Sequence, residues 1–170
     1  MAKRATQEQR EFFFVDTLEY EVLMMRETHR LLRAGGQTQV LVNALVESFC
    51  IHARNLIEFF KDHRDCDFDP RWFTNGYALQ KQFVGNAVLS RIAKQIAHIS
   101  KLRMDERHNK IGAKEQDKIK ADIERELDRF CRHLKPPYDR KWKIPPHHNY
   151  RAHYAPALIS ISQELPHAPR

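Results

Sequence analysis

Glycine is scarce in this chain, at 5 of 170 residues, and Pro70 is the only proline before residue 136. So few helix breakers, in a sequence rich in Leu, Ile, Ala, Glu, Lys, Arg and Gln, favour helix over sheet. The cysteines are three, Cys50, Cys66 and Cys131, far apart and in no C-x-x-C pair. An odd, scattered set argues against a disulfide scaffold and fits a reducing compartment. No apolar run reaches the roughly 18 residues of a membrane span, and no apolar h-region follows the charged start Met1-Ala2-Lys3-Arg4. A cytoplasmic protein with no membrane partner is therefore expected. A phosphate-cradling glycine loop and a Gly-x-Ser-x-Gly elbow are both missing. The 10 histidines give no pair of Glu-x-x-His motifs of the di-iron bundle type and no His-Glu-x-x-His, so neither a metal centre nor a cofactor is expected. His147, His148 and His153 would bind a transition metal only adventitiously.

What is present is a globular composition, 42% hydrophobic and 30% charged, with a formal net charge of +7. That balance suits one domain with a real core and disfavours wholesale disorder. A basic surface attracts polyanions: RNA, DNA or an anionic membrane face.

The periodicities predict an all-α fold, an antiparallel bundle of about four main helices with a Pro-rich, aromatic C-terminal tail. The first helix is expected from about Gln7 to Arg33. Thr6 and Gln9 form a capping box at its start, and Gly35-Gly36 stops it. The second is expected from Thr38 to about Asp62. Val42, Leu45, Val46, Phe49, Ala53, Leu56, Ile57 and Phe60 share one face of it, and Asn43, Glu47, Arg54, Asn55 and Glu58 the other. The short connection makes these two helices antiparallel neighbours. Residues 63–76 read as a loop anchored by Trp72 and Phe73, and 77–84 as a short helix. A third helix is expected from Asn86, as its cap, to about Arg103, burying Val88, Leu89, Ile92, Ala93, Ile96 and Ile99. Residues 104–112 turn. The fourth runs from about Ala113 to Leu134 on Ile119, Ile123, Leu127, Phe130, Cys131 and Leu134, the clearest amphipathic pattern in the chain. It carries too few basic residues on one stripe for a groove-reading recognition helix. The bundle domain is thus 1–135. Residues 136–170 form a proline-rich basic tail that either packs on the bundle through Tyr138, Trp142, Tyr150 and Tyr154 or is partly disordered.

One segment combines groups suited to phosphodiester chemistry: Arg91-Ile-Ala-Lys-Gln-Ile-Ala-His98. Seven residues of helix bring Arg91 and His98 within about 20° of each other, two turns apart. Lys94 lies between them, and Lys101 and Arg103 extend the basic side. An arginine can hold a phosphate bidentately and stabilise developing negative charge. A histidine titrating near neutrality can exchange a proton with a ribose hydroxyl or a leaving oxygen. Charged faces are also ordinary on bundle helices.

The segment resembles the R-x4-6-H motif of HEPN domains, with Arg91 and His98 in the two motif places. Ile92 stands where the family usually has Asn, Asp or His. A second match is Arg103-Met-Asp-Glu-Arg-His108. The resemblance spans roughly residues 7 to 134 through helix layout. It implies a helical bundle that acts as a metal-independent RNase or RNA-binding component of a toxin–antitoxin or defence system. It also implies a homodimer and a protein partner such as an antitoxin. On the second helix, Glu47, His52, Arg54 and Asn55 could form a second polar wall facing this motif. Against that, His52 borders the apolar face as a structural histidine would, and Arg54 and Glu58 form an ordinary i,i+4 pair. Two readings follow: an RNase with Arg91 and His98 as catalytic pair, or a noncatalytic helical interaction module binding a protein or nucleic acid.

Overall fold

In a computed structural model the residues described are 5–61, 68–78, 83–97 and 111–145, the side chains of 94–97 excepted. They form helices α1 (Gln7–Phe12), α2 (Leu18–Ala34), α3 (Gln39–Phe60), α4 (Asn86–Ala97), α5 (Ala113–Cys131) and a single turn α6 (Tyr138–Lys141). No strand occurs among the described residues, and Thr74 and Leu134 form an isolated β-bridge. The fold is an all-α bundle.

The capping box opens α1 as expected: Gln9 N–H donates to Thr6 Oγ1 and Thr6 N–H donates to Gln9 Oε1. The single long first helix of the sequence reading is instead two α-helices joined by a π-helical turn, Phe13–Thr17. The cause lies in Phe12-Phe13-Phe14-Val15. Four consecutive large residues sweep most of the way round a helix, so one core cannot take them all. Phe14 is fully buried, between the rings of Phe73, Tyr138 and Trp142. Phe13 stacks on Phe68 at 4.1 Å between ring centres, and Phe12 stays 63% exposed.

Gly35 and Gly36 end α2 with φ of 69° and 81°, a backbone that other residues reach only with strain. Thr38 caps α3 by accepting from Leu41 N–H. Glu21 meets His52 and His29 meets Phe49, so numbers rise along α2 as they fall along α3, and the pair is antiparallel. The buried face of α3 is the expected one: Leu45, Phe49, Ala53, Leu56, Ile57 and Phe60. The helix is also long and apolar enough, by length and composition, to cross a membrane. Glu47, Arg54 and Glu58 break its outer side.

Past α3, Asp69 caps a 3-10 turn at Pro70–Trp72, and Phe73 is fully buried. The helix expected at 77–84 is not formed in its described residues, 77, 78, 83 and 84. Tyr77 gives its hydroxyl to buried Glu126, and Arg129 takes the carbonyl of Ala78 at 2.7 Å. A side chain of α5 thus holds the Ala78 carbonyl that a helical turn there would use. Asn86 opens α4 rather than capping it, since the Gly85 carbonyl accepts from Val88 and Leu89 N–H. Residues 98–103 of the predicted third helix lie outside the described residues. The fourth helix buries Ile119, Ile123, Leu127 and Phe130 as predicted but stops at Cys131, because Leu134 is drawn into the bridge with Thr74. Beyond Pro136, where no regular helix was expected, one turn forms immediately after Pro137. A proline is tolerated at a helix start, where its missing N–H costs nothing. Tyr138 and Ile144 of this segment are buried in the main core.

Candidate functional site

Ile92 of α4 is fully buried, and Val88 and Leu89 pack on the core beside it. Arg91 precedes Ile92 by one residue, about 100° round the helix, and emerges at the seam between α4 and α5. There its guanidinium forms an ion pair with Glu115 while 30% of the side chain stays exposed. Glu115 lies in the first turn of α5, where a carboxylate is favoured by the helix dipole. Helix α4 is unbroken from Arg91 to Ala97. The backbone of Lys94 belongs to that stretch. His98, Lys101, Arg103 and the second match at His108 lie outside the described residues.

The four residues of the presumed second wall go to different places. His52 is buried, its Nδ1 2.8 Å from Glu21 Oε2 on α2, with the Tyr20 ring edge-on at 5.4 Å. It acts as a hydrogen-bonded link between α2 and α3. Arg54 donates to Glu58 one turn along its own helix at 2.7 Å. Asn55 is exposed, and Glu47 is half-buried. The contact made by Arg91 is to α5, not to this wall.

A constellation that the sequence reading missed joins α2 to the start of α5. His29 Nε2 and Arg33 Nε both meet Asp117 Oδ1, at 2.8 and 2.9 Å. Arg33 Nη2 also donates to the Ala113 carbonyl and to Gln116. Burial pushes the His29 pKa down; the bond to Asp117 opposes this, while Lys120 and Arg33 add to it. Asp117 in turn is held below its ordinary value by its bonds to His29 and Arg33. The result is a histidine favoured neutral, fixed by a carboxylate, with 15% of its side chain open to solvent. The i,i+4 spacing of His29 and Arg33 was visible in the sequence. Their partner is more than 80 residues away, and no local pattern could supply it.

Two further charged groups are structural. Arg26 Nε and Nη2 donate to Glu124 at 2.8 and 2.7 Å, and its Nη1 donates to the Pro145 carbonyl. Lys120 lies 3.4 Å from the same carboxylate. Burial lowers the Lys120 pKa, with Glu124 opposing. Tyr77, Glu126 and Arg129 form the second group, with the Arg129 guanidinium 4.4 Å over the Tyr77 ring. Burial, then the bond to Glu126, pushes the Tyr77 hydroxyl pKa up. An open hollow of about 750 Å³ is lined by Ala5, Glu8, Gln9, Phe12, Phe13, Thr17 and Phe68. Among the described residues no group of three His, Cys, Asp or Glu side chains could hold a metal ion.

The fold and these sites define an all-α helical bundle in a chain of formal net charge +7. No family model, curated protein or solved structure matches the chain.

Proposed function

We propose that this bundle is a HEPN-like RNA-binding protein, a metal-independent RNase or RNA-binding component of a toxin–antitoxin or defence system. One observation carries the reading: Arg91 emerges from an unbroken helix, beside the buried Ile92 and partly open to solvent. Helical geometry carried one residue past Ala97 would set His98 on the same side as Arg91, two turns on. In that arrangement Arg91 clamps the scissile phosphate, His98 moves protons, and Lys94, Lys101 and Arg103 add positive field. The homodimer and the antitoxin-like partner belong to the same reading. RNA cleavage in the presence of chelator tests it. Loss of a general acid or base costs typically about 10²–10⁴ in rate, so His98→Ala should be slower by that factor. Equal rates in wild type and His98→Ala reject the catalytic assignment.

A second reading, a noncatalytic interaction module, is favoured by the Arg91–Glu115 pair. A guanidinium already neutralised by a carboxylate gains little from exchanging it for a phosphate. This reading expects binding without turnover, weakening as salt rises.

A further inference from the structure

Helix α5 offers a second basic surface, away from the Arg91 seam. Lys114, Lys118, Arg125 and Arg132 are all exposed. Their spacing of 4, 7 and 7 residues places them within about 40° of one line along the helix. Arg132 is the C-cap and keeps helical dihedrals, φ −66° and ψ −17°, so the line continues through it. From Lys114 to Arg132 it extends about 27 Å at 1.5 Å per residue. The opposite side of α5 is committed to the core through Ile119, Ile123, Leu127 and Phe130, which holds the four cations outward on a rigid rod.

The nearby acids do little to neutralise the line. Asp117 is taken by His29 and Arg33. Glu115 is turned to Arg91, and Glu124 and Glu126 are buried. Asp122 bonds Arg125 at 3.1 Å, yet the Arg125 side chain remains 72% exposed. Asp128 borders the line and is half-buried.

We propose that this stripe is a sequence-independent track for the phosphodiester backbone of a nucleic acid. The occupant is argued from charge and from what the stripe lacks. A nucleic acid presents phosphates in a regular row, one per about 3.4 Å of duplex axis on each strand, and a row of cations of this length meets several at once. Membrane-surface helices need an apolar face beside the basic one. Here the only apolar residue on the line is Ala121. The track carries no base-reading geometry and gives affinity without sequence preference. It deepens the RNA-binding reading by naming where the backbone lies, and it rests on that reading for its partner.

The test is binding of the full chain to a fluorescent single-stranded RNA and to a duplex of equal length, from 50 to 300 mM salt. The variant is Lys114→Gln, Lys118→Gln, Arg125→Gln and Arg132→Gln together. A control of equal charge change combines Arg71→Gln, Lys135→Gln, Arg140→Gln and Lys143→Gln, and circular dichroism checks both folds. Losing four contacts should flatten the slope of log K against log salt by about 2.8 on single strands and about 3.6 on duplex. The control should flatten it far less. An unchanged slope in the stripe variant, an equal loss in the control, or binding to vesicles rich in phosphatidylserine that the stripe variant abolishes overturns the proposal. Cleavage that depends on His98 alongside an unchanged slope would sink the track and leave the RNase reading standing. A flattened slope without His98-dependent cleavage would do the reverse.

Discussion

Replacing Glu124 with alanine should be among the most damaging single changes in the bundle. Arg26 is 1% exposed and Glu124 7%, and the two meet through two parallel hydrogen bonds. The pair joins α2 to α5, and the third arm of Arg26 ties in the segment around Pro145. In Glu124→Ala the guanidinium stays buried with its carboxylate gone, and Lys120 loses a partner as well. Breaking a buried pair from one side costs about 3–5 kcal/mol, because an uncompensated charge remains inside. For a domain of this size 1 kcal/mol shifts the melting temperature by roughly 2–4 °C, so a drop on the order of 10 °C is expected. Removing both charges in Arg26→Met with Glu124→Met should cost clearly less than Glu124→Ala alone, since well-packed apolar replacements of buried pairs are often neutral. Urea titrations of wild type, Arg26→Met, Glu124→Met and the double close the cycle, with Glu124→Ala measured beside them. A loss below about 1 kcal/mol in Glu124→Ala, or a double variant worse than both singles, would show that the pair is hydrated or loosely held. The reasoning would then fail.

Glu115→Gln should tighten RNA binding several-fold by releasing Arg91, while the double variant with Arg91→Ala should lose that gain; equal affinities in a salt titration would show that Glu115 does not compete with RNA. Burial pushes the thiols of Cys50 and Cys131 up to about 12, so at pH 8 only about one in 10⁴ is thiolate. Peptide mapping after iodoacetamide should find buried Cys50 unlabelled and half-buried Cys131 labelled only slowly in the folded chain, and labelling of Cys50 within minutes would contradict its burial. The His29 pKa is lowered on folding, so the unfolded chain takes up a proton first as pH falls below the ordinary value near 6.5. Stability should therefore decline from about pH 6.5 downward, less steeply in His29→Gln, and parallel pH profiles from denaturant melts would count against the shift. Gly35→Ala should cost about 1–3 kcal/mol through its backbone alone, φ 69° with ψ −175°, since a Cβ there meets nothing within 4 Å; a neutral result in thermal melts would mean that the turn rearranges.

The bundle was legible because its signals are local. The capping box at Thr6, the glycine stop at Gly35, and the three- and four-residue steps of Ile119, Ile123, Leu127 and Phe130 each act within a turn or two of helix. The misreadings share a different origin. A helix was expected at 77–84, but at its described start Arg129, more than 50 residues on, donates to the Ala78 carbonyl. The π turn arose because Phe12, Phe13 and Phe14 competed for one core whose other walls, Phe73 and Tyr138, come from distant segments. The candidate site divides in the same way. That Arg91 stands beside the buried stripe of α4 follows from its position next to Ile92. That it is held by Glu115, that His52 serves Glu21, and that His29 shares Asp117 with Arg33 are facts of helix against helix. The basic stripe on α5 shows why this distinction matters for function. Its four cations were countable in the sequence, but their value depends on which acids beside them are free. Asp117 and Glu115 are spent on other helices, and only packing decides that. A surface charge track is therefore set by partner choice elsewhere in the fold as much as by its own residues.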